Sequence, residues 1–137
     1  MILIDTNVFS EIVKPKPDDN VVDWLFAHRD ETLLSAFVIA ELRVGIGTTS
    51  GRPKRALLLA WLDRLIAEHA GRILPFDAAA ALCWGEFASK LIISDGRSGY
   101  IDSLLAWQAM TRNVSLATRN VGHFEKTGLT VINPWNA

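Results

Sequence analysis

The sequence predicts a three-layer α/β domain with a mainly parallel central sheet flanked by helices. Short apolar runs that suit strands alternate along the whole chain with longer segments that suit helices. Such alternation implies crossover connections, which join parallel strands and place helices on both faces of the sheet. The chain has 137 residues, 50% of them hydrophobic, so we expect one domain over residues 1–137.

The first half of the chain is predicted to contain three strands and four helices. An apolar run at residues 2–4 ends at the polar corner Asp5-Thr6-Asn7, and a helix follows. Pro15 and Pro17 break the chain before the second helix, and Pro53 suits the first turn of the longest one. In order, we predict strand 2–4, helix 8–13, helix 21–28, strand 32–35, a mostly buried helix 37–46, helix 53–69 and strand 73–74.

The second half is predicted to contain two helices and two strands. Asp77 suits the start of a helix, and the polar, glycine-containing loop 94–99 ends it. The later apolar runs lead into Thr118-Arg119-Asn120 and into Asn133-Pro134-Trp135. In order, we predict helix 77–92, helix 100–112, strand 114–117 and strand 129–132. Since ligands bind beyond the carboxyl ends of parallel strands, Asp5 and Thr118-Arg119-Asn120 are expected in the ligand crevice.

The composition excludes several classes of protein. The opening MILIDTN lacks the basic residues of a signal peptide, and no apolar run is long enough to span a membrane, so we expect a cytoplasmic protein without membrane contact. Cys83 is the only cysteine, and it shows no zinc-type spacing with a histidine. We expect Cys83 to be a small buried residue. The net charge of −1 means that any nucleic acid must be held by a local basic patch.

Three acids are candidates for a functional site, and each has a structural alternative. Asp5 and Asp102 suit helix caps or first turns, where acids are common. Glu41 is in helical phase with Phe37 and Val44, and a carboxylate on an apolar face needs a partner. That partner is either a metal ion or an arginine such as Arg43 or Arg119.

Taken together, the three acids suit a metal site, although many α/β proteins have three scattered acids and no metal. Oxygen ligands from separate segments are those that Mg²⁺ or Mn²⁺ selects. Such an ion polarises a phosphodiester and activates a water molecule, so phosphodiester hydrolysis is the natural chemistry of this set.

Four ordered segments carry a family resemblance: MILIDTNVFSEI, LSAFVIAELRVGI, GYIDSLLAWQA and LATRNVGHF. They resemble the signature blocks of PIN-domain toxins of the VapC type, while RILPFD and VINPW are similar to the FitB-like branch of that family. The resemblance covers almost the whole chain. It implies a PIN-like fold and an endoribonuclease in which Asp5, Glu41 and Asp102 match the acids that coordinate catalytic Mg²⁺, or Mn²⁺ in its place. It also implies that Thr6, Asn7, Thr118 and Asn120 line or brace the pocket.

One departure from the family concerns Asn120, which stands where some members have a fourth aspartate. An amide oxygen is a candidate ligand but adds no charge, so we expect one firm metal ion. The alternative is a turn residue that hydrogen-bonds to nearby backbone.

The resemblance also implies partners. These are structured RNA such as transfer or ribosomal RNA, a second copy in a homodimer, and a cognate VapB-type antitoxin that lays apolar side chains near helix 53–69 and through which alone DNA is contacted. Candidate contacts to RNA phosphates are Arg52, Lys54, Arg55 and Arg119, although arginines on a helix more often form a solvated face. Two other functions stay open. One is a catalytically silent module in a DNA-bound antitoxin complex, and the other is a phosphatase, for which Asp5-Thr6-Asn7 lacks the Asp-x-Asp pair.

Overall fold

A computed structural model describes residues 1–95, 100 and 102–137 of the chain. The strands are β1 (Ile2–Ile4), β2 (Thr32–Ser35), β3 (Ile73–Leu74), β4 (Ser115–Ala117) and β5 (Val131–Ile132). The α-helices are α1 (Thr6–Glu11), α2 (Asp19–Ala27), α3 (Ala36–Gly47), α4 (Arg52–Glu68), α5 (Ala78–Asp95) and α6 (Ser103–Arg112). Short 3₁₀ helices span Val121–Thr127 and Pro134–Asn136. The predicted elements are all present, with bounds that differ by up to three residues.

The five strands form one parallel sheet in the order β3-β2-β1-β4-β5. The chain adds β2 and β3 on one side of β1 and then returns to add β4 and β5 on the other side. The strand order therefore reverses between β1 and β4, which pair in the register Leu3 to Leu116. In open parallel sheets such a reversal opens a crevice at the carboxyl ends of the two strands. The predicted fold class is confirmed.

The core lies on both faces of the central strands. Leu3, Ile4, Leu34 and Leu116 are fully buried, as expected for parallel strands covered by helices on each side. Val38 of α3 packs into the same cluster. Burying each of these leucine side chains stabilises the fold by about 1.5–3 kcal/mol relative to leaving it exposed.

The prediction about the burial of α3 was wrong. We expected it to be mostly buried, but only Val38, Leu42 and Ile46 are buried, and Val44 is 67% exposed. The three buried positions are spaced four residues apart, so they form one stripe of the helix. Off this stripe, Phe37 and Ile39 are only partly buried against the core, and Val44 faces solvent.

Helices α4 and α5 also depart in detail from the sequence prediction. Helix α4 begins after Gly51, whose φ of 92° favours glycine, and it leaves Leu57 73% exposed. Helix α5 runs through Asp95, beyond the predicted stop at residue 92, so residues 94 and 95 of the predicted loop are helical. The rest of that predicted loop, residues 96–99, lies outside the described residues. Cys83 is exposed on α5, contrary to expectation. Within the described residues, no helix combines the length and apolar character that crossing a membrane requires.

Candidate metal-dependent nuclease site

Asp5 lies directly after β1, where its backbone extends the ladder to β4. Its N–H donates to the carbonyl of Ala117 at 2.9 Å, and its side-chain Oδ1 accepts from the N–H of Thr6 at 2.7 Å. This second bond caps α1, so the structural explanation for Asp5 holds. The other carboxylate oxygen, Oδ2, takes no part in this cap and accepts hydrogen bonds from a second set of donors.

The end of β4 supplies those donors. The hydroxyl of Thr118, which is fully buried, donates to Asp5 Oδ2 at 2.7 Å. Asn7 Nδ2 lies 3.3 Å from both Asp5 Oδ2 and Thr118 Oγ1, and the N–H of Asn120 donates to Thr118 Oγ1 at 3.1 Å. Residues that follow β1 and β4 are thus joined across the point where the strand order reverses. This network fixes the position of the Asp5 carboxylate.

Glu41 reaches the same place from α3. Its Oε1 accepts a hydrogen bond of 2.7 Å from the hydroxyl of Thr6, the residue beside Asp5. The side chain is exposed, so the expectation of a carboxylate on a buried apolar face was wrong. On the same face Val44 is also exposed and Phe37 is only half-buried. The partner of Glu41 is a hydroxyl, and in the described part of the chain no arginine forms an ion pair with it.

Asp102 stands before the first residue of α6 but does not cap the helix by a side-chain hydrogen bond. Its Oδ2 lies 3.7 Å from His123 Nδ1, and both side chains are more than half exposed. Asn120 is exposed between β4 and the 3₁₀ helix that carries His123. Asp102 thus makes no capping hydrogen bond, although its place at the start of α6 still suits the helix dipole.

These side chains line one open cavity of about 300 Å³, which we name the acid cleft. The four candidate ligands Asp5, Glu41, Asp102 and Asn120 all belong to its wall, as do Thr6 and Asn7. Thr118 lies behind Asp5 and supports it. The remaining lining consists of Ser10, Phe37, Leu105, His123 and Phe124.

The surroundings of Asp5 disfavour the negative charge of its carboxylate. Burial raises the pKa of Asp5 above its ordinary value of 3.8, and the charge of Asp102 raises it further, while hydrogen bonds from Thr118 and Thr6 and the nearby His123 lower it. Burial is the largest of these causes. A cation in the cleft would offset both unfavourable contributions.

Two polar residues of the acid cleft, His123 and Ser10, were not among the predicted site residues. His123 lies 3.7 Å from Asp102, and Ser10 donates to the carbonyl of Thr6 at 2.9 Å. Neither has a spacing that marks it in the sequence, since His123 meets Asp102 only through the packing of the 3₁₀ helix. The segment LATRNVGHF, which was singled out for its resemblance, contains His123.

The predicted basic contacts lie outside the acid cleft. Arg52 and Lys54 are exposed at the start of α4, and Arg55 donates to the carbonyl of Thr49 at 2.9 Å. Arg119 lies 5.1 Å from the centre of the Trp135 ring. Among the described residues that line the cleft, His123 is the only basic side chain.

The donor set fits a hard divalent cation. Carboxylate, amide and hydroxyl oxygens surround the acid cleft, and no described cysteine lines it. Within the described residues, however, no three His, Cys, Asp or Glu side chains are already gathered into a metal cluster. The cleft therefore presents the right ligands in an open arrangement.

Fold and cleft together define a parallel α/β domain with an acidic, oxygen-lined site at the strand-order reversal. A model of the PIN domain matches residues 2–128 of the chain. VapC ribonuclease Y4jK of Sinorhizobium fredii is 37% identical over 137 residues, which cover 98% of each chain. Toxin FitB of Neisseria gonorrhoeae is 36% identical over 138 residues, which cover 99% of each chain. The chain belongs to the PIN-domain family, and within it to the VapC type with the FitB-like branch, as its motifs had suggested.

Solved structures agree with this assignment. The crystal structure of FitAcB from Neisseria gonorrhoeae matches with a TM-score of 0.86 and 34% identity over 100% of both chains. A structure of FitAB bound to an IR36 DNA fragment matches with a TM-score of 0.84 and 34% identity, covering 98% of this chain and 96% of that one.

Proposed function

We propose that the chain is the toxin of a type II toxin–antitoxin module, an endoribonuclease in which Asp5, Glu41 and Asp102 hold Mg²⁺. The observation that carries this proposal is the meeting of acids from β1, α3 and the start of α6 in one cleft. Membership of the family of VapC ribonucleases supports the nuclease activity.

The roles of the individual side chains follow from their contacts. Thr118 and Asn7 hold the Asp5 carboxylate at the crevice, and Thr6 directs Glu41 toward it. Asp102 completes the set, and Asn120 is a fourth oxygen donor. Mg²⁺ bound by these groups supplies charge neutralisation for the phosphate and a water of lowered pKa.

His123 is placed to contact substrate at the edge of the acid cleft. Its ring is more than half exposed and adjoins Asp102. An imidazole at this point provides a hydrogen-bond donor or a stacking surface for RNA entering the acid cleft. We assign the substrate to structured RNA such as transfer or ribosomal RNA on the basis of the family. The exposed Arg52, Lys54 and Arg119 are candidate phosphate contacts further out.

The partner that we propose is a VapB-type antitoxin, which keeps the nuclease inactive. The matching structures named FitAB and FitAcB support this partner. The exposed apolar side chain of Leu57 on α4 suits such a contact. We further propose a homodimer, for which light scattering of the purified chain is the direct test.

The experiment is cleavage of purified transfer and ribosomal RNA by the full chain with Mg²⁺, with EDTA, and by an Asp5→Asn variant. We expect cleavage only in the first reaction. Ser50→Ala is a matched control, because Ser50 is a polar residue between α3 and α4 that does not line the acid cleft. Equal cleavage in all reactions would reject the metal mechanism.

A second candidate function is a catalytically silent partner in an antitoxin complex on DNA. The related FitAB structure bound to DNA favours it, as does the uncharged Asn120. Intact RNA after long incubation with Mg²⁺, combined with tight antitoxin binding, would support this function over the nuclease.

A further inference from the structure

A second cleft, of about 650 Å³, adjoins the acid cleft, and we name it the flanking cleft. The two share Asp102, His123 and Phe124 in their walls, so they meet at one end of the acid cleft. A volume of this size lies within the roughly 300–1,000 Å³ of small-molecule sites. The proposed nuclease activity leaves the flanking cleft without a role.

The walls of the flanking cleft are largely aromatic and apolar. Phe87 comes from α5, Ala106 and Met110 from α6, and Phe124 from the 3₁₀ helix. Tyr100 also lines it, and its ring lies nearly parallel to that of Trp84, with the ring centres 5.9 Å apart. A flat apolar ligand would find contact surfaces on several sides.

The aromatic wall is held in place by its neighbours. The indole N–H of Trp84 donates to the hydroxyl of Ser103 at 3.1 Å, and that hydroxyl donates to the carbonyl of Tyr100. These bonds tie α5 to the start of α6, beside Asp102. The wall thus needs little ordering when a ligand binds, which favours affinity.

The rim of the flanking cleft is polar. Glu125, Lys126 and Thr127 lie toward the end of the 3₁₀ helix, and His123 lies at the junction with the acid cleft. Lys126 forms no ion pair within the described residues. An ammonium group at the rim can pair with a phosphate, while the interior excludes water from an apolar ring.

We propose that the flanking cleft binds the base of a nucleotide next to the phosphate that is cut, and so contributes to the choice of cleavage site. This proposal rests on the nuclease function. Single-stranded RNA presents unstacked bases that proteins recognise by stacking on aromatic side chains. The cleft begins at Asp102, so a base inside it belongs to a nucleotide close to the reacting phosphate. That continuity favours RNA over a protein segment as the occupant.

The test measures RNA binding without cleavage. A short single-stranded ribonucleotide with a fluorescent end label is titrated with the full chain in EDTA, and the Kd is obtained from anisotropy. Met110→Trp adds bulk at a position that is 43% exposed and should fill the cleft without unfolding the chain. We expect it to weaken binding about tenfold, within the range for loss of one stacked base. Lys126→Glu, an exposed change, should weaken binding about threefold.

The matched control is Leu82→Trp, which makes a similar change at a position on α5 that is 77% exposed and outside both clefts. It should bind like the wild type. A second probe with 2-aminopurine in place of one base should lose fluorescence on binding to the wild type, as stacking requires.

Absence of binding by the wild type would overturn the proposal, as would equal Kd values for the wild type and both cleft variants. Unchanged RNA binding together with lost antitoxin binding in Met110→Trp would assign the cleft to protein instead, and would also overturn it. If the wild type binds RNA as described but never cleaves it with Mg²⁺, the nuclease function fails while the base site stands.

Discussion

Thr118→Val tests whether the contact between the ends of β1 and β4 holds the acid cleft together. Valine has nearly the same shape as threonine, so the fully buried position stays filled while the hydroxyl is lost. The variant removes the 2.7 Å hydrogen bond to Asp5 Oδ2 and the acceptor for the N–H of Asn120. Asp5 keeps its bond from the N–H of Thr6.

The expected cost follows from the kind of bond that is lost. A hydrogen bond to a charged group contributes about 1.5–3 kcal/mol to stability. Because Asn7 Nδ2 also lies within 3.3 Å of Asp5 Oδ2, we expect a loss near the lower end, about 1.5 kcal/mol at pH 7. That is a large share of the total stability of a single domain.

The destabilisation caused by Thr118→Val is expected to depend on pH. The pKa of Asp5 is raised in the folded protein, so the folded state holds its proton more tightly than the unfolded state, and the contribution of Asp5 to stability falls as pH rises above about 3.8. The Thr118 hydroxyl lowers that pKa, so the variant raises it further. The destabilisation should thus be complete at neutral pH and shrink as acid protonates Asp5.

Urea unfolding of the wild type and the variant at pH 7 and at pH 4.5 measures both effects. Thr111→Val is the control, because the Thr111 hydroxyl donates only to the carbonyl of Gln108 on an exposed part of α6, and the change should stay within about 0.5 kcal/mol. Identical unfolding midpoints for the wild type and Thr118→Val at pH 7 would refute the reasoning.

Three further predictions concern the metal, a buried histidine and the core. Asn120→Asp adds a carboxylate to the acid cleft and should raise Mg²⁺ affinity about tenfold by calorimetry; an unchanged affinity would remove Asn120 from the ligand set. Burial lowers the pKa of His69, so its contribution to stability is present above pH 6.5 and is lost as pH falls below it. Urea midpoints between pH 7 and 5 should therefore fall more steeply for the wild type than for His69→Gln, and equal slopes would contradict this. Leu116→Ala should cost about 2–5 kcal/mol and Leu57→Ala less than about 0.5 kcal/mol, and a similar cost for both would contradict the assignment of the core.

The sequence predicted the fold well because strand pattern and connection type are local signals. Each strand is an apolar run followed by polar residues, and each crossover needs a helix between strands. The meeting of Asp5 with Thr118 followed from this, because both residues come directly after strands of a parallel sheet.

Predictions about burial failed where a helix is apolar all around. Helix α3 has apolar residues on both of its faces, so nothing in the sequence shows that Val38 is buried while Val44 is exposed. For the same reason Glu41 was expected on a buried face. Its true partner, Thr6, is 35 residues away in the chain and could not be found from helical phase.

Contacts made by the 3₁₀ helix at Val121–Thr127 were beyond sequence reasoning altogether. This short element brings His123 to Asp102 and closes one side of the flanking cleft. Its position depends on packing against β5 rather than on a sequence pattern of its own.

The central strand β1 is synthesised long before its neighbour β4. Asp5 and Thr118 are 113 residues apart, and β1 cannot pair with β4 until the ribosome has made the residues between them. At about 5–20 residues per second, roughly 6–23 s separate the synthesis of the two residues. A growing polypeptide therefore lacks an assembled acid cleft until β4 has been synthesised and has paired with β1.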